Sequence, residues 1–518
     1  MNQIATNHRS CTIPPTKEGG IANTTSRTCR MVHHCRFIYV IVSLVMVASR
    51  LQGAEIWVDA VNGSNPTGDG SQANPYQTIQ EGLNHIWEHD STLHIAAGTY
   101  MEALVLQNLQ DGLIMLGAGA DVVTINASGV PNNGGAIKLQ AGMNCTFRGL
   151  TVTGGTYEGL GSPGGAVRCI HNTGSTQPTA SATIENCILI NNRSWGYKYT
   201  GGAITLGSGS IIRNNVIMNN GTVYGAGAIY VGANSVVEDN LIAGNSAGDN
   251  SNDGSGAMEA LYDTIIVRRN TFLQNLSGWN FKGRGGAFSG RATVYNNLFI
   301  KNSVNSFNSG HGGAAYLTGG VFVNNTLVGN IGDLQGFASG IYCAGAAQVR
   351  NNIICCGEDG VGLYGGGGEP DYNAYYDNEL GPYGGTAIPG AHDLHSNPSL
   401  SSEYRLTAAS PCIDAGTPSP TVLNSTDIDM QPRIFNGLID IGADEAVIAS
   451  SSILYTDGNV TTIWHTVEGA LCQLQASSNL RDWADLGGAF ACESNETAIP
   501  DPGTLPPRRF YRLSWQWK

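Results

Sequence analysis

A six-residue phrase that starts with asparagine recurs at nearly constant spacing along the middle of this chain. Its copies start at Asn186, Asn215, Asn240, Asn270, Asn297, Asn325 and Asn352. The spacings between these starts are 29, 25, 30, 27, 28 and 27 residues. A period of this length is typical of a solenoid, in which each repeat buries its apolar side chains against the repeats before and after it.

A second marker keeps phase with the asparagine phrase, because an alanine preceded by glycine recurs in each repeat. These alanines are Ala166, Ala203, Ala228, Ala257, Ala287 and Ala314. β-Branched and aromatic residues occupy matched positions after the alanine and on both sides of the asparagine, so that Ile188, Ile217 and Phe272 align. Three strand-forming runs per repeat and no helical periodicity predict an all-β protein, a right-handed parallel β-helix of about ten coils.

The asparagine column itself has a structural interpretation. Side-chain amides of successive coils can hydrogen-bond to one another, and asparagine also tolerates a left-handed turn. We therefore expect these residues to form a ladder and a turn, with no role in catalysis.

Composition excludes some function classes. The chain has 518 residues, 70 of them glycine, with 41% hydrophobic residues and 13% charged ones. Abundant glycine together with this apolar fraction predicts many tight turns around a folded core. The formal net charge of −14 makes nucleic acid an improbable partner.

Residues 1–54 are predicted to be a leader with a secretory signal peptide. The apolar run 37–48 follows several basic residues and is too short to cross a bilayer, so we expect no membrane span in the mature chain. The protein is accordingly predicted to be extracellular or periplasmic, either secreted or at the cell surface. After this leader, Thr78–Glu88 predicts an amphipathic helix that caps the β-helix, with Ile79, Leu83, Ile86 and Trp87 on one side.

The mature N-terminus resembles secreted bacterial right-handed β-helix proteins related in architecture to pectate lyases. The resemblance rests on Trp57-Val-Asp59, Gly68-Asp-Gly-Ser71 and Pro75-Tyr-Gln-Thr-Ile79, and it covers residues 55–395. Residues 396–447 are similar to a choice-of-anchor Q module. The matching positions are Asn397-Pro398, Ser410-Pro-Cys-Ile-Asp-Ala-Gly416, Asp429, Arg433 and Asp440-Ile-Gly-Ala-Asp-Glu445.

Residues 448–518 predict a small all-β domain similar to C-terminal modules of other secreted bacterial proteins, which implies attachment or sorting at the cell surface. Nine cysteines follow the leader, and among them Cys472 and Cys492 could close a hairpin in this domain. For Cys145, Cys169 and Cys187, burial as small apolar residues and pairing remain equally open.

The resemblance implies that a substrate groove lies over the sheet that follows the repeat alanine, beside the long loops that enter it. The outward column two residues after the alanine comprises Arg168, Thr205, Tyr230, Glu259, Ser289 and Tyr316. The loops contribute Lys198, Tyr199, Tyr224, Asp253, Lys282, Arg284 and His311. Arg284 and His311 hold the same position in adjacent coils, so we expect them to be neighbours.

These residues predict two kinds of site. The candidate catalytic residues are Glu259, Asp253, Arg284 and His311, and the candidate substrate-binding residues are Arg168, Tyr199, Tyr230, Lys282 and Tyr316. A glycosidase needs two carboxylates roughly 5 to 9.5 Å apart, which Glu259 and Asp253 would supply if the loop folds back. A lyase needs a base and a cation beside a uronate carboxylate, for which Arg284, Lys282 and Arg168 are candidates. The alternative is that all of these are solvated rim residues.

The catalytic motif set of polygalacturonases is absent as a set, and His311-Gly312 occurs alone. No metal site is predicted on this face, because the aspartate cluster that marks the calcium site of pectate lyases is absent from the helix strands. The densest acidic group comprises Asp427, Asp429, Asp440, Asp444 and Glu445. Salt bridging to Arg433 and calcium binding are its two alternative roles.

Two functions remain open from the sequence. The first is a protein that binds or cleaves an extracellular polysaccharide through the outward strand and loop surface. The second is a non-catalytic surface or adhesive protein, in which the β-helix is a spacer or recognition rod. An acidic glycan would be repelled at long range by the net charge, so local cations or bridging Ca²⁺ would be required.

Overall fold

The fold is described from a computed structural model. It describes residues 53–131, 134–157, 164–170, 178–195, 199–248, 254–278, 283–305, 310–333, 337–366, 368, 370–434, 437–446, 449–456, 459–478, 480–501 and 509–516. Residues 54–518 form one compact unit that is almost entirely β-structure. The predicted leader and signal peptide lie outside the described residues. No described helix is long and apolar enough to span a bilayer.

Two sheets flank the asparagine phrase. The sheet that ends before it, here the pre-ladder sheet, contains Glu55–Val58, Thr92–Ile95, Ile114–Gly117, Asn144–Arg148, Ser181–Glu185, Ile211–Arg213, Val236–Glu238, Gly320–Val323, Ala347–Arg350 and the second halves of Met258–Arg268 and Phe288–Tyr295. The post-ladder sheet contains Gly98–Tyr100, Val123–Asn126, Thr151–Thr153, Ile188–Ile190, Val216–Met218, Leu241–Ala243, Thr271–Leu273, Leu298–Ile300, Thr326–Val328, Ile353–Cys355 and Ala374–Tyr376.

Two further sheets complete the coil. The alanine sheet follows the repeat alanine and contains Leu104–Leu106, Ile137–Leu139, Val167–Cys169, Ile204–Leu206, Ile229–Val231, Ala315–Leu317, Ala338–Cys343, Val361–Tyr364, Tyr383–Gly384 and the first halves of Met258–Arg268 and Phe288–Tyr295. The short sheet contains Thr156–Tyr157, Arg193–Ser194, Gly221–Thr222, Ser246–Ala247, Leu276–Ser277 and Ser303–Val304. The predicted three strands per coil are therefore joined by a fourth in the middle coils.

All four sheets are parallel, and each strand pairs with the strand one coil away, for example Ile204 with Ile229 and Val216 with Leu241. The chain runs in each coil from the alanine sheet to the pre-ladder, post-ladder and short sheets. Eleven strands stack in the post-ladder sheet within the described residues. The predicted fold, a right-handed parallel β-helix of about ten coils, is confirmed.

Buried asparagines form two ladders, where the sequence predicted one. The first comprises Asn215, Asn240, Asn270, Asn297, Asn325, Asn352 and Asn373, and the second comprises Asn192, Asn220, Asn245, Asn275, Asn302 and Asn330. At a typical rung, Asn270 N and Nδ2 both donate to Asn297 Oδ1, at 2.9 and 3.0 Å, and Nδ2 also donates to Val237 O at 2.9 Å. The predicted amide ladder is confirmed, and it satisfies polar groups that water cannot reach.

The predicted alignment is wrong by one residue at its first copy. Cys187 N donates to Asn215 Oδ1, so Cys187 and not Asn186 holds the ladder position. Asn186 instead aligns with Asn214, and both adopt left-handed backbone, with φ of 53° and 54°. Because side chains alternate along a strand, this shift buries Leu189 and leaves Ile188 half-buried.

The interior of the coils is apolar and tightly stacked. The repeat alanines from Ala166 to Ala314 are fully buried, and Phe272 and Phe299 stack with ring centroids 4.7 Å apart. The capping helix spans only Ile79–Asn84, and Glu102 accepts hydrogen bonds from its first two backbone amides. Ile79, Leu83 and Ile86 lie in the solenoid core as predicted, but the prediction that Trp87 shares this buried side is wrong, because the helix ends before it and Trp87 is 69% exposed.

Residues 396–446 pack on the outside of the last coils, with few regular strands of their own. Val422 and Ile439 contact Tyr295 and Val323 of the pre-ladder sheet, and Ala443 packs on the post-ladder sheet. The last described residues form two antiparallel sheets. These consist of Ala449–Thr456, Asn459–His465 and Glu496–Pro500, and of Leu471–Ser477, Ala484–Asp485, Phe490–Ala491 and Phe510–Gln516. The division into domains at 395 and 447 stays a prediction.

Candidate functional site

The predicted outward column exists on the alanine sheet. Arg168 pairs with Thr205, Thr205 with Tyr230, Tyr230 with Glu259, Glu259 with Ser289, and Ser289 with Tyr316 in successive coils. The register therefore aligns all six predicted positions in one line along the solenoid axis. Neighbouring rungs of a sheet are roughly 4.8 Å apart, so Arg168 and Tyr316 are separated by about 24 Å. A single compact site cannot include both.

The middle of this column is closed. Thr205 is fully buried, and its hydroxyl accepts a hydrogen bond from Gly201 N at 2.9 Å. Tyr230 is also fully buried, and its ring lies 5.7 Å from that of Tyr199, the first described residue after the loop gap in the preceding coil. The two predicted substrate-binding tyrosines are neighbours, but Tyr230 offers no ring surface to a ligand in this arrangement.

The N-terminal part of the column is basic. Lys138 and Arg168 occupy adjacent rungs, and the Arg168 guanidinium lies 4.5 Å from the centroid of the Tyr157 ring. Arg168 Nε donates to the carbonyl oxygen of Gly134. Burial lowers the pKa of the Lys138 ammonium, and the adjacent Arg168 charge lowers it further. Arg168 is thus engaged with the preceding coil, and its predicted role in binding substrate stays a prediction.

The predicted carboxylate pair is only partly described. Glu259 lies on the column between Tyr230 and Ser289 and is half-buried. Its predicted partner Asp253 lies outside the described residues, as do Lys282 and Lys198. The pairing that a glycosidase mechanism needs therefore stays a prediction.

Three predicted residues do meet at the C-terminal part of the column. Arg284 and His311 are bridge partners in adjacent coils, as the repeat predicted. The Arg284 guanidinium lies 5.1 Å from the centroid of the Tyr316 ring, and the His311 and Tyr316 rings are 6.0 Å apart. A cation above an aromatic face is attracted by the ring electrons, so this contact holds the Arg284 guanidinium over the Tyr316 ring.

Three aromatic residues that the sequence did not predict extend this cluster. Tyr342 stacks on Tyr316 with centroids 5.4 Å apart, and Tyr364 stacks on Tyr342 at 5.2 Å. Phe337 packs 4.9 Å from the His311 ring and 5.1 Å from that of Tyr364. We call the surface formed by Arg284, His311, Tyr316, Phe337, Tyr342 and Tyr364 the aromatic face.

The sequence carried a signal for these tyrosines. Ala314 N donates to Gly340 O, and Ile341 pairs with Leu363, so Gly340 and Gly362 continue the alanine column. Tyr342 and Tyr364 each stand two residues after these glycines, at the outward position. A search for alanine alone ends the column two coils too early, because glycine replaces it at Gly340 and Gly362.

The aromatic face has defined protonation and a rigid support. Burial raises the pKa of the Tyr342 phenol, and the phenols on either side raise it further, so Tyr342 keeps its proton and can donate at neutral pH. Asp333 is buried and accepts a hydrogen bond from Gly310 N, which fixes the segment that carries His311. The face therefore combines phenol donors, an imidazole and a guanidinium on half-buried aromatic rings.

A groove of about 720 Å³ lies elsewhere on the coil, against the short sheet. It is lined by Asn191, Arg193, Asn219, Thr222, Ser246 and Leu276, among others. Among the described lining residues, Arg193 is the one that carries a charge. Its guanidinium lies 5.8 Å from the ring centroid of Trp195. We favour the aromatic face as the site, because it concentrates titratable and aromatic groups that the groove lacks.

The acidic group of residues 396–446 is a buried ion cluster. Arg433 Nε lies 3.7 Å from Glu445 Oε2, so the predicted salt bridge to Arg433 is present. Asp429 instead pairs with Arg405, with two contacts of 2.6 Å. Within the described ranges, no group of three or more His, Cys, Asp or Glu side chains is arranged to hold a metal ion.

Comparison with known proteins gives no family. No family model matches the chain, and no curated protein matches it. Among solved structures, a GH136 lacto-N-biosidase from Eubacterium ramulus is 10% identical, with a TM-score of 0.31 over 71% of this chain and 72% of that one. Pectin methylesterase from carrot is 12% identical, with a TM-score of 0.26 over 67% and 89%. Likeness at this level carries no argument about the activity of this chain.

Proposed function

We propose that the aromatic face binds an extracellular polysaccharide lying along the solenoid axis. One observation carries this proposal: Tyr316, Tyr342 and Tyr364 form a continuous outward row, with ring planes within 13° of parallel from one rung to the next. Such a row repeats its chemistry at each coil, as a polysaccharide repeats its sugar units. A ligand that contacts one rung can therefore contact the next in the same way.

The chemistry of the row matches a sugar chain. A pyranose ring has apolar C–H faces and hydroxyl edges, and tyrosine offers an apolar ring with a polar end. Arg284 and His311 lie at the end of the row and can donate hydrogen bonds to a hydroxyl or a uronate carboxylate. The net charge of −14 disfavours nucleic acid, the other polymer that binds by stacking on aromatic rings.

Cleavage is a second candidate function, and the position of Glu259 favours it. Glu259 is two rungs from Tyr316 on the same column, about 10 Å away by strand spacing. A sugar chain bound on the tyrosine row and extended toward the N-terminus would pass over this carboxylate. Glu259 would then serve as a general acid or base, with His311 as the other titratable group of the site.

The test measures binding and cleavage on one panel of neutral and uronate-containing polysaccharides. For any polysaccharide that binds, we expect Tyr342→Ala to raise the Kd by at least about tenfold, equivalent to ~1.4 kcal/mol. Trp195→Ala is the matched control, because Trp195 is 47% exposed and lies near the groove of the short sheet. Loss of binding in Trp195→Ala with unchanged binding in Tyr342→Ala would transfer the site to that groove.

Reducing ends and the ultraviolet absorbance of unsaturated uronates separate the mechanisms. New absorbance indicates a lyase, and reducing ends without absorbance indicate a hydrolase. Glu259→Gln should abolish either signal while leaving the Kd within a few-fold of the parent value. Cleavage undiminished in Glu259→Gln would remove that residue from the mechanism, and binding without cleavage would support the recognition-rod function.

A further inference from the structure

Two cysteine side chains face each other inside the C-terminal β-domain. The Sγ atoms of Cys472 and Cys492 are 2.8 Å apart, and both residues are almost completely buried. Cys472 lies on Leu471–Ser477, which pairs in antiparallel fashion with Phe490–Ala491. The two sulfur atoms are therefore held together by neighbouring strands in the interior of the domain.

The backbone alone enforces this proximity. Cys492 N donates to Ala470 O at 2.9 Å, and Gly469 N donates to Cys492 O at 2.8 Å. The register pairs Leu471 with Ala491, so Cys472 and Cys492 lie on the same side of the sheet as a diagonal pair. Small side-chain rotations would bring the sulfur atoms to the bond length of about 2.05 Å.

We propose that Cys472 and Cys492 form an intramolecular disulfide in the mature protein. Both thiols lose their protons, an S–S bond forms, and two electrons pass to the disulfide of a thiol oxidoreductase, which is reduced to a dithiol. The hydrogen bond from the Cys472 thiol lowers the pKa of Cys492. One thiolate first attacks the oxidoreductase disulfide to form a mixed disulfide, and the other thiolate then displaces the oxidoreductase sulfur.

Other buried cysteines are engaged differently. Cys145 Sγ donates to Gln110 O at 3.6 Å, and Cys187 Sγ donates to Glu185 O at 3.3 Å. These thiols use backbone carbonyls of the solenoid coils as partners, as small apolar residues of a core do. The geometry thus points to Cys472 and Cys492 as the cross-link.

The cross-link would constrain the hairpin that contains Ala484–Asp485. Closing a loop of about twenty residues lowers the conformational entropy of the unfolded chain, so the oxidised domain unfolds at a higher temperature. Such bonds form and persist in oxidising compartments, which connects this pair to the predicted export of the chain. The inference is independent of what the aromatic face binds.

Peptide mapping of the wild-type protein provides the test. The full chain is exported to an oxidising compartment, purified without reductant, denatured and treated with iodoacetamide. Trypsin cleaves after Arg481, between the two cysteines, so their peptides stay joined only through a disulfide. We expect one cross-linked peptide pair that separates on reduction. Quantitative alkylation of both cysteines before reduction would overturn the proposal.

Variants supply a second readout. Cys472→Ser should remove the cross-linked pair and leave Cys492 alkylated, whereas Cys343→Ser, at a buried cysteine of the alanine sheet, should leave the pair unchanged. A reductant should lower the melting temperature of the wild type and of Cys343→Ser but not that of Cys472→Ser with Cys492→Ser. An equal effect of reductant on all three would contradict a stabilising disulfide.

Discussion

The coils and the segment 396–446 bury polar side chains in different ways. In the coils, the side chains of the two ladders are neutral amides, and each asparagine inside a ladder donates to one copy of itself and accepts from another, one coil away on either side. In the segment 396–446, the buried groups are carboxylates around Arg433, which is 1% exposed. A repeating chain can satisfy a polar group with its own copies, whereas a segment present once has none to use. This segment instead buries acidic side chains beside the Arg433 cation.

The two systems meet at one corner of the coil. Asn296, Asn324 and Asn351 stand just before ladder asparagines and adopt left-handed backbone. Asn296 Nδ2 donates to Thr426 O at 2.7 Å, Asn324 Nδ2 to Asp440 O at 3.0 Å, and Asn351 Nδ2 to Thr417 O at 2.8 Å. Turn asparagines of three successive coils thus donate to backbone carbonyls of the segment, so the segment is fixed at one point in each of these coils.

The largest effect should come from removing the buried cation. Arg433→Met removes the ion pair with Glu445 and the donor to the backbone carbonyl of Asp440, and we expect a loss of about 3–5 kcal/mol in the free energy of unfolding. Denaturant unfolding at neutral pH measures it. Arg291→Met is the control, because Arg291 and its partner Asp263 are both 50% exposed and a surface ion pair of this kind contributes little to stability. Equal losses in the two variants would contradict a special role for the buried ions.

Removal of one ladder amide should cost somewhat less. Asn297→Ala deprives the Asn270 backbone amide and side chain of their acceptor and removes one donor from the carbonyls of Val267 and Tyr295. We expect a loss of about 3 kcal/mol, because buried groups without partners keep their desolvation cost. The matched control is Asn305→Ala, an exposed asparagine outside both ladders, which should change stability by less than about 0.5 kcal/mol.

Features that repeat along the chain could be predicted from the sequence more fully than features that occur once. The first ladder and the alanine column were predictable because they repeat, and the repeated phrase gives the ladder position at every copy except the first. The second ladder was visible in the closing asparagines of the phrase, such as Asn220 and Asn245. Identifying it requires that the closing asparagine of each phrase be aligned between repeats as well as the leading one.

The outward residues were harder to predict, because the period fixes which way a side chain points but not what covers it. Tyr230 holds an outward position and is nevertheless fully buried. Arg284, His311 and Tyr316 were correctly placed together, since all three follow from the repeat register. The docking of residues 396–446 could not be predicted from a repeat, because this segment occurs once. In the sequence, its contact residues Tyr295 and Val323 look like any other apolar residues of a strand.

The response to pH separates the two systems most directly. Burial raises the pKa of Asp427 to about 6, of Asp444 to about 8 and of Glu445 to about 9. Unfolded carboxyl groups titrate near pH 4, so between about pH 4 and pH 9 the folded chain binds more protons than the unfolded chain. Its free energy of unfolding should therefore fall as the pH rises through this interval, and the stabilisation is fully present only below about pH 4.

Isosteric substitution isolates the contribution of one of these carboxyl groups. Asp444→Asn keeps an oxygen to accept from Leu406 N, a bond of 2.7 Å in the parent protein, but cannot ionise. We expect melting temperatures measured from pH 5 to pH 9 to decline less steeply in Asp444→Asn than in the parent. The ladder amides do not titrate, so Asn297→Ala should lower the curve without changing its slope. Identical slopes in the parent and Asp444→Asn would contradict the raised pKa of Asp444, because a carboxyl with the same pKa in the folded and unfolded chain adds nothing to the slope.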